Sequence, residues 1–545
     1  MIKHSAILFL GTLALVAAHA QPVISSQGPV NAASYRTPGL SASGIAQGSA
    51  FTIFGTGLGP SSYAQANSFP LPNTLAGTSV TVTIGTTVTP AIVILAFNTQ
   101  VNAILPSSTP VGTGSVTVTY NNQTSTPAPV QVVASAFGIY AYNSSGSGQA
   151  IATDTSYQLN TIIHAFHPGD YVVLWGTGLG PIATSDAEPP PAGNLSVPVT
   201  MHVGNTTAAV DYSGRAPCCS GLDQVVFQVP AGIEGCYVPI GVETAGAVGN
   251  IATIAVSASG NTCTDSILGQ DLVNQLASGQ KVDFGYIRLE SYLTQNLGIS
   301  GNDYGVATFS ELDPAAAGLA EYGVSSGYCY AVDCSNGCAT SVTPNGSLSD
   351  SSPGQLDAGT LAMTYGTATY PLTHYYSDYF VELSSIYGTR VLWGDTSYPV
   401  TGTGGANVAP FSVSDLTADV NLQFTNVSEY SAVPRVNGLT LHWTGGNPAL
   451  QNGEVTIGAY SSNSSFTNYA YLQCTAPLAA GQFSIPGWVL STLPASGTYG
   501  GSGVTLPLGF VSIGQYNKPT VFSAQGLDRG IITDIFYYQQ QVSFQ

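Results

Sequence analysis

Gly48-Ser-Ala-Phe-Thr-Ile-Phe-Gly55-Thr56-Gly57-Leu58-Gly59-Pro60 returns as Gly169-Asp-Tyr-Val-Val-Leu-Trp-Gly176-Thr177-Gly178-Leu179-Gly180-Pro181, with every glycine and the proline at one spacing. The match runs on downstream. Val80-Thr-Val-Thr-Ile84-Gly85 answers Val199-Thr-Met-His-Val203-Gly204, and Gln100-Val101 leading to Leu105-Pro106 answers Gln224-Val225 leading to Val229-Pro230. Loops between matched segments differ slightly in length, which fits two copies of one domain and not a solenoid of short units. Within the copies, Ser79 to Ile84, Ser115 to Tyr120 and Val199 to Val203 alternate Val, Ile or Tyr with Thr, Ser or His, the period-two pattern of half-buried strands. Turns rich in Gly, Pro, Asn and Ser separate these runs at roughly 8–12 residues, the rhythm of a β-sandwich.

Gly55, Gly57, Gly59, Gly176, Gly178 and Gly180 read as structural turn residues that supply positive φ after a buried strand. A phosphate-binding loop is the competing reading of Gly-Thr-Gly-Leu-Gly-Pro. It is set aside because Pro60 and Pro181 lead into Ser/Ala/Pro-rich loops with no helical periodicity and no Lys.

The strand running into that glycine motif, the Gln-Val…Pro strand and the Ala136-Phe137-Gly138-Ile139-Tyr140 exit resemble the IPT/TIG immunoglobulin-like repeats of secreted bacterial proteins. They are most similar to the module called the Solibacter uncharacterised C-terminal domain, and Gly28-Pro-Val-Asn-Ala-Ala-Ser-Tyr35 is similar to that family's usual entry. The resemblance covers about residues 28 to 258 and implies an early-set immunoglobulin-like sandwich in each copy. It implies no chemistry, since the module has no activity to carry over. Here the pair stands first and a long second half follows.

Lys3 and His4, an apolar run from Ala6 to Ala18 and Ala18-His19-Ala20 before Gln21 read as a signal peptide over residues 1–20, so a secreted, extracellular or periplasmic protein is expected. The run is shorter than the roughly 20 residues that cross a bilayer, and no later segment replaces it, so no membrane span is expected. Charged residues make up 7% of the chain and the net charge is −19, so solubility rests on hydroxyls, amides and that charge. Nine Lys and Arg are scattered over 545 residues, leaving no cluster to displace counterions from nucleic acid. No cofactor is implied.

The eight cysteines read as disulfides of an oxidising compartment, in two groups: Cys218, Cys219, Cys236 and Cys263, then Cys329, Cys334, Cys338 and Cys474. In the first group the Cys218-Cys219 pair is expected to join Cys236 and Cys263, because bridging neighbours strains the peptide between them. Zinc is disfavoured, since no Cys-x2-Cys pair occurs twice and no His stands at ligand spacing.

The second half also reads as β. Asp271 to Ser278 suits a short helix, and strands are expected at Val282 to Leu293, Tyr304 to Leu312, Tyr365 to Tyr376 (interrupted at Pro371), Tyr379 to Leu383, Gly438 to Thr444, Glu454 to Tyr460 and Ile531 to Phe544. The expected division is sandwiches over 21–145 and 146–262, a β-rich domain over 263–412 and a β-sandwich over 413–545. A break near Pro410 to Thr417 would separate the last two; strands pairing across it would make them one unit.

Several residues could carry chemistry. His164 and His167 stand at a metal-binding spacing, but in a strand or loop i and i+3 diverge, so a solvated loop is the simpler reading. His374 and Asp378, amid Tyr370, Tyr375, Tyr376 and Tyr379, could form a general-base pair. Alternation places His374, Tyr376 and Asp378 on one solvated face and Tyr375 and Tyr379 on the other. Glu290, Glu311, Asp313 and Glu321 could supply the paired carboxylates of a secreted glycosidase at ~5–10 Å separation. Tyr375, Tyr376, Tyr379 and Trp443 form the candidate ligand surface, since aromatic rings offer low-entropy contact area to a polymer. The expectation is an all-β secreted protein with a structural, adhesive or polymer-binding role and no catalytic site of its own. Extracellular polysaccharide or another surface protein would be its partner.

Overall fold

The computed structural model describes residues 21–545 except 264, 266, 295–301, 315–324, 334–353, 376–377, 385–389, 395, 418–420 and 502–503. Alternation decides the first copy. Along Thr78–Ile84, Val80, Val82 and Ile84 turn inward while Ser79, Thr81 and Thr83 turn out, and the strand pairs antiparallel with Gly112–Tyr120. The facing sheet runs Val23–Asn31, Ala50–Thr56, Gln100–Ile104, Ile92–Ala96 in spatial order. Phe51, Ile53, Val80, Val82, Val101 and Val116 fill the space between the sheets. Burying side chains of this size contributes about 1.5–3 kcal/mol each.

The second copy repeats the plan. Tyr171–Thr177 pairs with Asp223–Gln228, which pairs with Val210–Arg215. The opposite sheet holds Val199–Val203, Gly235–Thr244 and Ala247–Val256, and Val172, Leu174, Met201, Phe227 and Ile240 are among the core between them. The molecule is all-β, built of tandem immunoglobulin-like sandwiches followed by a further β region.

After the Gln270–Ala277 helix, the described residues of the second half build a large sheet of 13 strands, with a three-stranded and a two-stranded sheet beside it. At its centre Val282–Thr294 pairs antiparallel with Asp303–Leu312 and parallel with Arg529–Val542. The last long strand therefore lies beside the first. Further pairings, such as Cys329–Asp333 with Tyr469–Pro477, draw strands from both sides of residue 412 into the one sheet. Within the Pro410 to Thr417 stretch, Phe411–Leu416 is itself a strand, paired with Ser397–Gly402, and Phe411 and Val413 enter an apolar core. No helix among the described residues is long and apolar enough to cross a membrane.

Candidate functional site

The repeated glycine motif has two different surroundings. In the first copy the Gly57 N–H donates to the Asn98 side-chain oxygen (3.1 Å) and the Leu58 N–H to the Asn98 carbonyl (2.9 Å), at the surface. In the second, the equivalent Gly178 and Leu179 N–H groups both donate to one oxygen of the Asp223 carboxylate, at 2.7 and 2.8 Å. Asp223 is wholly buried and is paired with the buried Arg215. Burial pushes the Asp223 carboxyl upward, while the Arg215 guanidinium and the two N–H donors pull it down.

This pair sits where the modules meet. Arg215 Nη2 donates to the Gly48 carbonyl of the first module (2.9 Å) and to the Gly180 carbonyl (2.6 Å). Thr177 accepts the Ala50 N–H at 2.9 Å, and Asn31 donates to the Thr177 carbonyl at 3.2 Å. The second glycine motif is thus clamped between modules. Sequence reasoning missed Arg215 and Asp223, although a cation and an acid flanking one short loop are conspicuous in a chain with so few charges.

Only part of the motif uses positive φ. Gly57, Gly178 and Gly180 adopt it. Gly55, Gly59 and Gly176 do not, which corrects the turn reading for those three. They are small because backbone comes close: a Cβ on Gly55 would lie 2.0 Å from the Val23 carbonyl oxygen, and one on Gly176 2.3 Å from that of Gly138.

The cysteine pairing differs from expectation. Cys218 bonds its neighbour Cys219, and Cys236 bonds Cys263. The reason is placement: Cys236 and Cys263 are buried together in one apolar cluster with Cα atoms 5.4 Å apart, within the usual span, whereas Cys218 lies on an exposed loop. Cys329 and Cys474 are directly opposite across two antiparallel strands and are bonded. Cys334 and Cys338 lie outside the described residues.

The expected ligand surface does not assemble. Tyr379 is 1% and Trp443 4% exposed, each packed in a core. Trp443 spends its indole N–H on the Leu478 carbonyl (3.1 Å), and the Tyr379 hydroxyl accepts the Ala358 N–H (3.2 Å). Tyr376 lies outside the described residues. Thr373 to Tyr375 pairs antiparallel with Asp378 to Phe380, with His374 in register with Tyr379, so His374 and Tyr379 share a face. Asp378 is buried rather than solvated; burial pushes its carboxyl up, and the Thr308 hydroxyl bonds it at 2.8 Å.

Of the acidic residues that could have formed a glycosidase pair, Glu290 stands apart from Glu311 and Asp313, which meet at one lysine. Glu290 is buried, held by Arg288 at 2.6 Å and by the Tyr292 hydroxyl at 2.8 Å, on a tyrosine-rich face where Tyr292 stacks on Tyr537 at 4.7 Å. Glu311 binds Lys281, with Asp313 3.7 Å from the same ammonium. Strand register sets Glu290 opposite Tyr304 and Glu311 opposite Asp283, seven residues along, so the two are ~23 Å apart at the usual rise. Glu321 lies outside the described residues. His164 is exposed, and His167 bonds Asp170 (3.1 Å) and the Gly260 carbonyl (3.0 Å). No group of three or more His, Cys, Asp or Glu that could hold a metal occurs among the described residues.

No family model and no curated protein matches the chain. Among solved structures it is similar to domains 1–6 of the surface layer protein SbsC, at 9% identity and TM-score 0.18, with 95% of this chain and 55% of that one covered. It therefore spans only 55% of that structure's length. It is also similar to FdeC, an Escherichia coli adhesin (14% identity, TM-score 0.15, coverage 74% and 98%). A third is SGBP-B of the Bacteroides ovatus mixed-linkage glucan utilization locus (11% identity, TM-score 0.13, coverage 77% and 79%).

Proposed function

We propose that this protein is an exported scaffold whose two IPT/TIG-like modules are fixed to each other and to the second half, presenting a binding surface outside the cytoplasm. The observation that carries the reading is the Arg215–Asp223 clamp, in which one buried ion pair holds the second glycine motif and reaches the backbone of the first module. A chain built only as a flexible string would not bury charge at its joint, because each unpaired ion costs several kcal/mol. The joint continues into the second half: Arg36 Nη2 donates to the Thr492 carbonyl at 2.8 Å, and His202 stacks on Trp488 at 4.7 Å. The disulfides support an oxidising, extracellular location, with residues 1–20 as the export signal. Its partner would be an extracellular polysaccharide or another surface protein.

Small-angle scattering of the full chain, paired with limited proteolysis, tests the reading. The native chain should scatter as one body and resist cleavage between Ala134 and Phe137, and Asp223→Ala should lose both properties. There Ala128–Val133 of the first module's sheet gives way to Gly138–Ile139, which pairs with Tyr171–Thr177 of the second and so sets the joint ahead of the expected residue 145. Ready cleavage of the native chain at that joint would overturn the scaffold.

A further inference from the structure

Of the three disulfides among the described residues, two are built into cores. Cys329 and Cys474 are buried and join two paired strands, and Cys236 and Cys263 are buried in one apolar cluster. The third, Cys218–Cys219, differs in both place and reach. Cys218 is exposed and Cys219 half-buried, in the 216–222 loop between Val210–Arg215 and Asp223–Gln228. A bond between neighbours closes no length of chain, so it takes almost no freedom from the unfolded state.

The loop keeps its shape by other means. The Ala216 N–H donates to the Leu222 carbonyl (2.9 Å), the Cys219 N–H to the Ala216 carbonyl (3.1 Å) and the Leu222 N–H to the Cys219 carbonyl (3.3 Å). The Ser220 hydroxyl donates to the Glu188 carbonyl at 2.8 Å and the Thr177 hydroxyl to the Gly221 carbonyl at 2.6 Å. Gly221 packs so closely on the first module that a Cβ there would lie 2.8 Å from Ile104 Cγ1. At the base of the loop Arg215 and Asp223 face each other and form their ion pair. None of these contacts passes through sulfur, so opening the S–S bond leaves the loop anchored.

We propose that Cys218–Cys219 is a thiol-exchange site, at which a thiol-bearing partner is attached reversibly to this chain. A partner thiolate attacks the sulfur of exposed Cys218. The new S–S bond forms as the Cys218–Cys219 bond breaks, and Cys219 leaves as a thiolate that takes up the proton the partner's thiol gave up. One thiol and one disulfide enter and one of each leaves, so no oxidant or reductant is consumed. Cys219 is then the resolving thiol: its attack on the mixed disulfide releases the partner and restores the original bond. The two buried disulfides are closed to this chemistry, because the incoming thiolate must reach a sulfur. The site does not depend on the module joint being rigid.

The test exposes the folded full chain to increasing reduced glutathione, quenches with acid, alkylates the free thiols and maps the cysteines by mass spectrometry. The Cys218–Cys219 pair should open at a glutathione concentration at least tenfold below that which opens Cys236–Cys263 or Cys329–Cys474, with no change in the thermal unfolding midpoint. Cys219→Ser removes the resolving thiol, so oxidised glutathione should leave a lasting adduct on Cys218. Cys218→Ser leaves only the half-buried Cys219 and should form its adduct at least tenfold more slowly. Both variants keep the backbone contacts of the loop, so both fold. Ubiquitin carrying one surface cysteine, activated as a mixed disulfide, is the second probe for Cys219→Ser: an adduct with it supports a protein thiol as partner, and an adduct with glutathione alone supports a small one. Three results would overturn the proposal: all three disulfides opening together, equal adduct rates in the two variants, or a lowered unfolding midpoint when this pair alone is open.

Discussion

The two glycine motifs share their residues and differ in what accepts their N–H groups. At the exposed loop of the first copy an uncharged amide, Asn98, is enough. At the joint of the second, water is gone, and a full charge with its own counter-ion takes the same two donors. One backbone turn thus serves as a surface loop or as the keystone of an interface, and the acceptor records which. Hydrogen bonds in a dry site are stronger, and leaving one unmade there costs more.

Removing the acceptor in each copy is the sharpest way to break this comparison. Asp223→Ala leaves the Arg215 guanidinium buried without its carboxylate and should cost about 3–5 kcal/mol. Asn98→Ala removes one exposed hydrogen bond and should cost about 0.5 kcal/mol. Urea unfolding measures both, and equal losses would mean that the two loops are not used differently.

Cysteines supply the next contrast, since the first copy has none. Cys236–Cys263 closes a loop across 27 residues and should contribute about 2–4 kcal/mol, whereas Cys218–Cys219 closes no loop and should contribute almost nothing. Thermal unfolding of Cys236→Ser and Cys218→Ser chains separates them. A large loss on Cys218→Ser would show that the adjacent pair holds its loop in some other way.

A smaller effect is expected from the glycines. A methyl group on Gly178 would lie 2.2 Å from the Ala136 carbonyl oxygen at φ 111°, so Gly178→Ala must move the module joint. Gly57 has φ 67° in an exposed loop, and Gly57→Ala should cost only the ~1 kcal/mol of a left-handed backbone. Differential hydrogen exchange should show Gly178→Ala loosening both modules and Gly57→Ala only its own loop.

The strands and the duplication were legible because each is a local pattern. Val80, Val82 and Ile84 alternate with hydroxyl residues over one short stretch, and the glycine spacing repeats without gaps. The long sheet was not legible. Its central parallel pair joins Val282–Thr294 to Arg529–Val542 from opposite ends of the second half, and pairing between distant segments leaves no mark on either. Trp443 and Tyr379 were misplaced for a related reason. Aromatics favour strands whichever face they take, so alternation fixes that a ring lies on a face and not whether that face is covered.

The finest test exchanges acceptors rather than deleting one. Asn98→Asp gives the first copy the carboxylate of the second without its arginine or its burial. The molecule already contains that arrangement elsewhere: Asp357 is largely open to solvent, accepts the N–H groups of Ala406 and Gly359 at 2.9 and 2.8 Å, and is held below the usual carboxylate range by those donors. The carboxylate introduced by Asn98→Asp should behave likewise. A carboxyl lowered in the folded state adds stability above its unfolded pKa of ~3.9 and loses it as pH falls through the lower folded value. The variant should therefore equal or slightly exceed the native chain at pH 7 and lose that margin below about pH 4, as read by urea unfolding at the two pH values. A variant that instead destabilises the neutral-pH protein as strongly as Asp223→Ala would mean that the exposed loop, like the buried one, tolerates a charge only beside an arginine.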